Sequence, residues 1–168
     1  MGAYFIELGR LDEALEALNK ARSFSQRARC DYGVICDDLY VADIDGLSGR
    51  SSKAIEVVER RMPELLKYES IDLFCLEIAA RQHRLAGRMR ASHRYIGEGL
   101  KRAVRFPTYL AMLLQERARL ALAEGKGHDE RIFRERANRL FMSNGLTKRH
   151  RSFTVREYGE QFKITAKD

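Results

Sequence analysis

The sequence has no tryptophan, only two prolines among its 168 residues, and three cysteines, an odd number. So few thiols exclude a disulfide scaffold, and no apolar run or small-residue cleavage site after Met1 suggests secretion. Cys30, Cys36 and Cys75 are therefore read as reduced, mostly buried thiols in a cytoplasm. Scarce proline leaves long helices uninterrupted. No apolar stretch approaches the roughly 20 residues that cross a bilayer, because Arg, Lys, Asp or Glu interrupts every candidate, and this excludes a membrane-spanning helix. Low-complexity tracts are absent as well. With 45% apolar and 33% charged residues, the chain has the balance of an ordered helical domain with its own core, not of a disordered segment.

Chemistry-bearing patterns are equally thin. A catalytic reading needs a nucleophile beside a base, paired acids in a cleft or a phosphate loop, and none stands at convincing spacing. Gly125-Lys126 lacks the strand and the glycine run of a phosphate-binding loop. His83, His93, His128 and His150 are isolated, and Cys30 with Cys36 is not the close pair of a structural zinc site. No catalytic residue, metal site or cofactor is assigned, and the chain is not read as an enzyme. Asp37, Asp38, Asp43 and Asp45 place four acids near one helix, read as a solvated acidic face.

What is present is a repeat. Gly9, Gly49, Gly87 and Gly125 are spaced 40, 38 and 38 apart, each after an apolar-periodic segment and each followed by Arg or Lys. Glycine takes positive φ without a steric penalty, so each marks the corner between two helices. Seven residues before these glycines stand Gly2, Ala42, Ala80 and Ala118, and five after them Ala14, Ala54, Ser92 and Glu130. Small residues are expected where two helices approach closely, and only Glu130 departs. The spacing predicts a short helix to Leu8 and then helices over 12–24, 29–47, 51–66, 71–86, 90–106, 108–124 and 129–143, with Ser51 and Ser70 as caps. Pro63 should end or kink its helix near Arg61. Residues 1–145 form the helical domain. Over 146–168, Phe153, Val155, Phe162 and Ile164 around a Tyr158-Gly159 turn signal predict an extended tail or a capping β-hairpin.

Charge is concentrated in one window. From Arg81 to Phe106 lie eight of the 31 basic residues but only one of the 24 acids, Glu98, so the whole net charge of +7 sits there. Arg81 and Arg84 share a face before the Gly87 corner, and Arg88, Arg90, Arg94, Lys101, Arg102 and Arg105 form a basic patch after it. The missing tryptophan and sparse aromatics argue against a stacking platform for single-stranded nucleic acid.

The segment from Gly2 through Phe5, Gly9 and Ala14 to Leu18 and Ala21 resembles a tetratricopeptide repeat, with the small, aromatic, corner, small, large and small positions in order. Ala42, Gly49, Ala54 and Val58 fit a second copy and Ala80, Gly87, Ser92 and Ile96 a third. In the fourth, only Ala118, Gly125 and Ala137 fit. The pattern begins inside the first helix, so the chain is expected to be part of a longer protein. The resemblance implies an all-α fold, a right-handed superhelix of stacked antiparallel helix pairs. It also implies a concave groove lined by the first helix of each pair. Carried over by position, that groove holds Leu39 and Asp43, then Glu77, Arg81 and Arg84, then Gln115 and Arg119. Its arginines would clamp a carboxylate, and Arg84→Ala should leave the melting temperature nearly unchanged. The function so implied is protein–protein interaction or scaffolding within a bacterial-type signalling or transcription-regulatory protein. The expected partner is an acidic protein or peptide, with nucleic acid on the basic patch as the alternative. A homodimer through the first helix is a further expectation.

Overall fold

The structure, a computed structural model, describes residues 2–145. Residues 146–168, where the tail or hairpin is expected, lie outside the described part. Every regular element among the described residues is helical: α1 (Gly2–Glu7), α2 (Leu11–Arg27), α3 (Asp31–Leu47), α4 (Ser51–Leu65), α5 (Leu73–Leu85), α6 (Met89–Arg102), α7 (Pro107–Ala123) and α8 (Gly127–Ser143), with a short 3-10 segment at Ala103–Arg105 before α7. No helix among them is long and apolar enough to cross a membrane.

The glycine corners are helix caps of one kind. At each, the amide after the glycine reaches back five residues to a helical carbonyl: Arg10 N to Phe5 O at 3.0 Å, Arg50 N to Asp45 O, Arg88 N to His83 O and Lys126 N to Ala121 O, each of the last three at 2.8 Å. That geometry needs a left-handed residue, and Gly9, Gly49, Gly87 and Gly125 supply it with φ of 73, 83, 72 and 73°. A fifth corner of the same form joins α2 to α3, where Cys30 N bonds Ser25 O at 2.9 Å. Its left-handed residue is Arg29, with φ of 52°. No glycine marks that corner in the sequence.

Three local expectations change. Asp72, not Ser70, caps α5, its carboxylate accepting from Phe74 N at 2.9 Å. Ser51 is the first residue of α4 and not its cap; Arg50 holds that position and makes no side-chain cap bond. Pro63 does not end its helix, which continues to Leu65. Proline there removes one amide from the last turn, while fully buried Met62 and Leu65 on either side anchor that turn to the core.

Consecutive helices pack on one another, and α1 with α3, α3 with α5 and α5 with α7 also touch. The odd-numbered helices therefore form a row flanked by the even-numbered ones. Where the sequence places small residues, helices meet: Ala14, Ala42, Ala54, Ala80 and Ser92 have no exposed surface, and a Cβ on Gly2 would lie 2.6 Å from Leu18 Cγ. Around them Leu39, Val58, Met62, Leu65, Leu76, Ile96, Leu113 and Leu120 form one apolar core across α3 to α7. Each such side chain contributes about 1.5–3 kcal/mol on burial. Phe74, Ile78, Met112, Ala137 and Phe141 extend it to α8.

Candidate functional site

α5 is buried along almost its whole length, from Leu73 to His83, because α3, α4, α6 and α7 all pack against it. Any polar residue on such a helix must find its partner inside the protein. Arg81 is 5% exposed; its Nη1 donates to Asp43 Oδ2 on α3 at 2.8 Å and its Nη2 donates to Glu77 Oε1 one turn earlier. Asp43, without exposed surface, accepts also from Gln82 Nε2 at 2.8 Å. On α7, Glu116, likewise fully buried, accepts from Arg84 Nε at 2.6 Å and from Arg119 Nη1 at 2.9 Å. Arg119 Nη1 also lies 4.0 Å from Glu77 Oε1, which joins the two halves. Three carboxylates and three guanidinium groups thus form one neutral seam across α3, α5 and α7.

The seam divides its carboxylates electrostatically. Burial pushes Glu116 up, but Arg84, Arg119 and Arg81 outweigh it and hold the carboxyl down at about 2. Burial also pushes Glu77 up, and there it prevails over Arg81 and Arg119, with Glu116 and Asp43 adding repulsion. Arg81 loses hydration on burial, yet Asp43, Glu77 and Glu116 hold its charge more firmly than water would. Closeness at the α3–α5 crossing depends on Gly46, since a Cβ there would fall 1.8 Å from Gln82 Oε1.

These positions correct the expectation of exposed groove arginines. Leu39 is a core residue with no exposed surface, and Asp43, Glu77 and Arg81 are closed over one another. Arg84 and Arg119 keep 17% and 11% side-chain exposure, and Gln115, one turn before Arg119 on α7, is half-buried. Spacing of three and four brings Glu77, Arg81 and Arg84 to one face, as the sequence indicates, but gives no sign of the carboxylate on α7 that meets them.

The acidic residues of α3 are likewise not a solvated face. Asp38 is 9% exposed and meets Arg22 Nε of α2 at 2.6 Å and Arg61 Nη2 of α4 at 2.7 Å. Asp45 meets Arg50 at 2.8 Å and Lys53 at 2.9 Å across the Gly49 corner, and Asp37 accepts from Ser25 Oγ at 3.0 Å. These acids tie α3 to α2, to α4 and to the Gly49 corner.

The basic patch separates into members with partners and members without. Arg88 pairs with Glu59 of α4, and half-buried Arg102 holds Glu98 at 2.6 Å and the Glu69 carbonyl at 3.3 Å. Arg94 lies over the Tyr95 ring at 4.8 Å, and that ring stacks on buried His83 at 5.3 Å. Burial lowers the His83 pKa, with Arg88 and Arg94 acting in the same direction against Glu59. Arg90, Lys101 and Arg105 are exposed and have no ion-pair partner among the described residues.

Cys36 and Cys75 are buried side by side in the core and Cys30 is exposed. Among the described residues no group of His, Cys, Asp and Glu is arranged to hold a metal ion. No model of a known protein family matches the chain, and no curated protein does.

Proposed function

We propose that the chain is a tetratricopeptide-like interaction domain, a right-handed superhelix of helix pairs that works as a cytoplasmic protein-binding or regulatory scaffold and not as an enzyme. The observation that carries this reading is the row α3, α5, α7, fixed by a continuous charged seam whose solvent edge is Arg84, Gln115 and Arg119. Buried salt bridges are a poor source of stability but set relative position well. A seam of this kind keeps three helix pairs in register and so preorganises the face on which a partner segment would lie, which lowers the entropic cost of binding. Arg84 donates to Glu116 through Nε and keeps 17% side-chain exposure, and guanidinium groups favour carboxylates through paired hydrogen bonds, so the partner is an acidic peptide or protein surface.

Gln115 is the position at which to test this, since it is half-buried and takes part in none of the seam's ion pairs. An array of acidic and basic peptides probed with the labelled chain should show selection of acidic sequences. Gln115→Glu should abolish that selection without moving the thermal melt. An array with no charge preference, or one indifferent to Gln115→Glu, would refute the reading.

A further inference from the structure

A second surface lies on the opposite side of α6 from the core. With about 100° between successive helix residues, Arg90, Arg94, Gly97 and Lys101 fall within an arc of roughly 60°. Buried Ser92, Tyr95, Ile96 and Gly99 occupy the other side. The stripe runs about 16 Å along the helix, and Arg105 extends it past the end of α6. All four cations are exposed, and none has an ion-pair partner among the described residues. Several acids of the neighbouring helices are already engaged: Glu98 by Arg102, Glu59 by Arg88, and Glu124 by His93 and Lys126. Elsewhere Arg22, Arg50, Arg61, Arg81, Arg84 and Arg119 all meet carboxylates. Other cations also lack an ion pair among the described residues, Arg27, Arg60, Arg117, Arg131, Arg136 and Arg139 among them, but nowhere else do four stand in a row between one helix and its end as here.

Two glycines interrupt α6, and their settings differ. A Cβ on Gly99 would lie 2.7 Å from Leu113, so helix packing requires that glycine. A Cβ on Gly97 would meet nothing within 4 Å. Glycine inside a helix is unfavourable, and the fold gives no reason for this one. It sits in the middle of the cationic stripe, where a missing side chain lets a partner backbone come close to the helix.

We infer that the outer face of α6 is a docking strip for the phosphate backbone of double-stranded nucleic acid, with Arg90, Arg94, Lys101 and Arg105 as phosphate contacts and Gly97 as the point of closest approach. Along α6 the stripe offers charge with no exposed Phe or Tyr ring for stacking, Phe106 lying only beyond its end, which favours a duplex backbone over unstacked bases. It also lacks the central apolar anchor of a protein interface, since its exposed apolar neighbours, Val104 and Phe106, lie only at one end. Binding here would be independent of base sequence and would leave the seam's edge free.

The test is fluorescence anisotropy of a labelled DNA duplex of about 20 base pairs, titrated with the full chain over a range of salt. About four phosphate contacts give a slope of log affinity on log salt near −3 to −4. Arg90→Ala, Lys101→Ala and Arg105→Ala should each reduce its magnitude by about one and leave the thermal melt unchanged. Lys20→Ala, on α2, should leave the slope as it is. Gly97→Met should melt no lower than the parent, because methionine favours helix, yet bind the duplex several-fold more weakly. A slope near zero, or one that the three α6-side alanine variants leave intact, overturns the inference. So does tighter binding of a polyglutamate peptide than of the duplex at equal salt, which would assign the strip to an acidic protein.

Discussion

Arg84 on α5 donates through Nε to Glu116 on α7 at 2.6 Å, and Glu116 has no exposed surface. Arg84→Ala therefore leaves a buried carboxylate with Arg119 as its nearest remaining cation. Breaking a largely buried pair from one side costs about 3 kcal/mol, because the other charge stays desolvated. Urea denaturation should show that loss, in place of the unchanged melt that exposed groove arginines imply. Replacing both partners, Arg84→Met with Glu116→Leu, should recover most of it. A single variant as stable as the parent would show that the pair contributes nothing to the fold.

Acid should act on the seam in two opposite ways. Glu116, held at about 2 against an ordinary value of 4.5, contributes stability that is present above pH 4.5 and is lost as pH falls toward 2. Glu77 is raised, so its contribution has the reverse sign: the folded state takes up its proton first, and stability rises as pH falls through the folded value. Urea midpoints measured against pH should fall less steeply below pH 4.5 in Glu116→Gln than in the parent. In Glu77→Gln the rise that precedes that fall should disappear. Parallel profiles in all three proteins would contradict this assignment.

His83 gives a separate pH effect. Its lowered pKa means that the folded state favours the neutral ring, so this contribution is complete above about pH 6.5 and is lost as pH falls below it. His83→Phe keeps an aromatic ring beside Tyr95 and removes the titration. The difference in stability between this variant and the parent should widen in favour of the variant from pH 7 to pH 5.

Arg29 holds a left-handed conformation at a corner where four equivalent positions carry glycine. Arg29→Gly should stabilise the fold by about 0.5–1 kcal/mol, the difference between relieving the strain of a side chain at positive φ and the added freedom of an unfolded glycine. Differential scanning calorimetry can resolve a shift of that size. A lower melting temperature would mean that the Arg29 side chain contributes more than its backbone strain costs.

Gly46→Ala should be costly for a different reason. The added carbon would displace Gln82 and break its bond to Asp43, leaving a fully buried carboxylate with one fewer donor, a loss of about 2 kcal/mol or more. Gln82→Ala alone removes the same bond without the collision. If the crossing at Gly46 is the cause, the double variant should be no less stable than Gln82→Ala alone, and a double-mutant cycle measures the coupling.

The corners and pairs were legible in the sequence because one residue type answers one backbone requirement. Glycines at 38- and 40-residue spacing, small residues at fixed offsets and apolar periodicity together give all eight helices to within a few residues. Arg29 escaped that signal because arginine carries no mark of positive φ. The seam was half legible: spacing puts Glu77, Arg81 and Arg84 on one face of α5, but whether that face meets water or another helix depends on residues 38 positions upstream and 32 downstream. Charged residues on α3 and α5 look like solvated surface by composition. Asp38, Asp43, Arg81 and Arg84 are interior because each finds a counterion on a neighbouring helix.

Arrays of helix pairs commonly behave as near-independent units coupled only to their neighbours. Here the coupling is partly ionic and specific, since Asp43 on α3 needs Arg81 on α5, and Arg84 on α5 needs Glu116 on α7. A shortened chain that stopped before Pro107 would strand Arg84 beside an apolar surface with no counterion. The same pairing limits exchange of helix pairs: one from another protein could replace one of these only if it carried a matching charge at both of its borders. The order of the helix pairs is thus written in their charges as well as in their shapes.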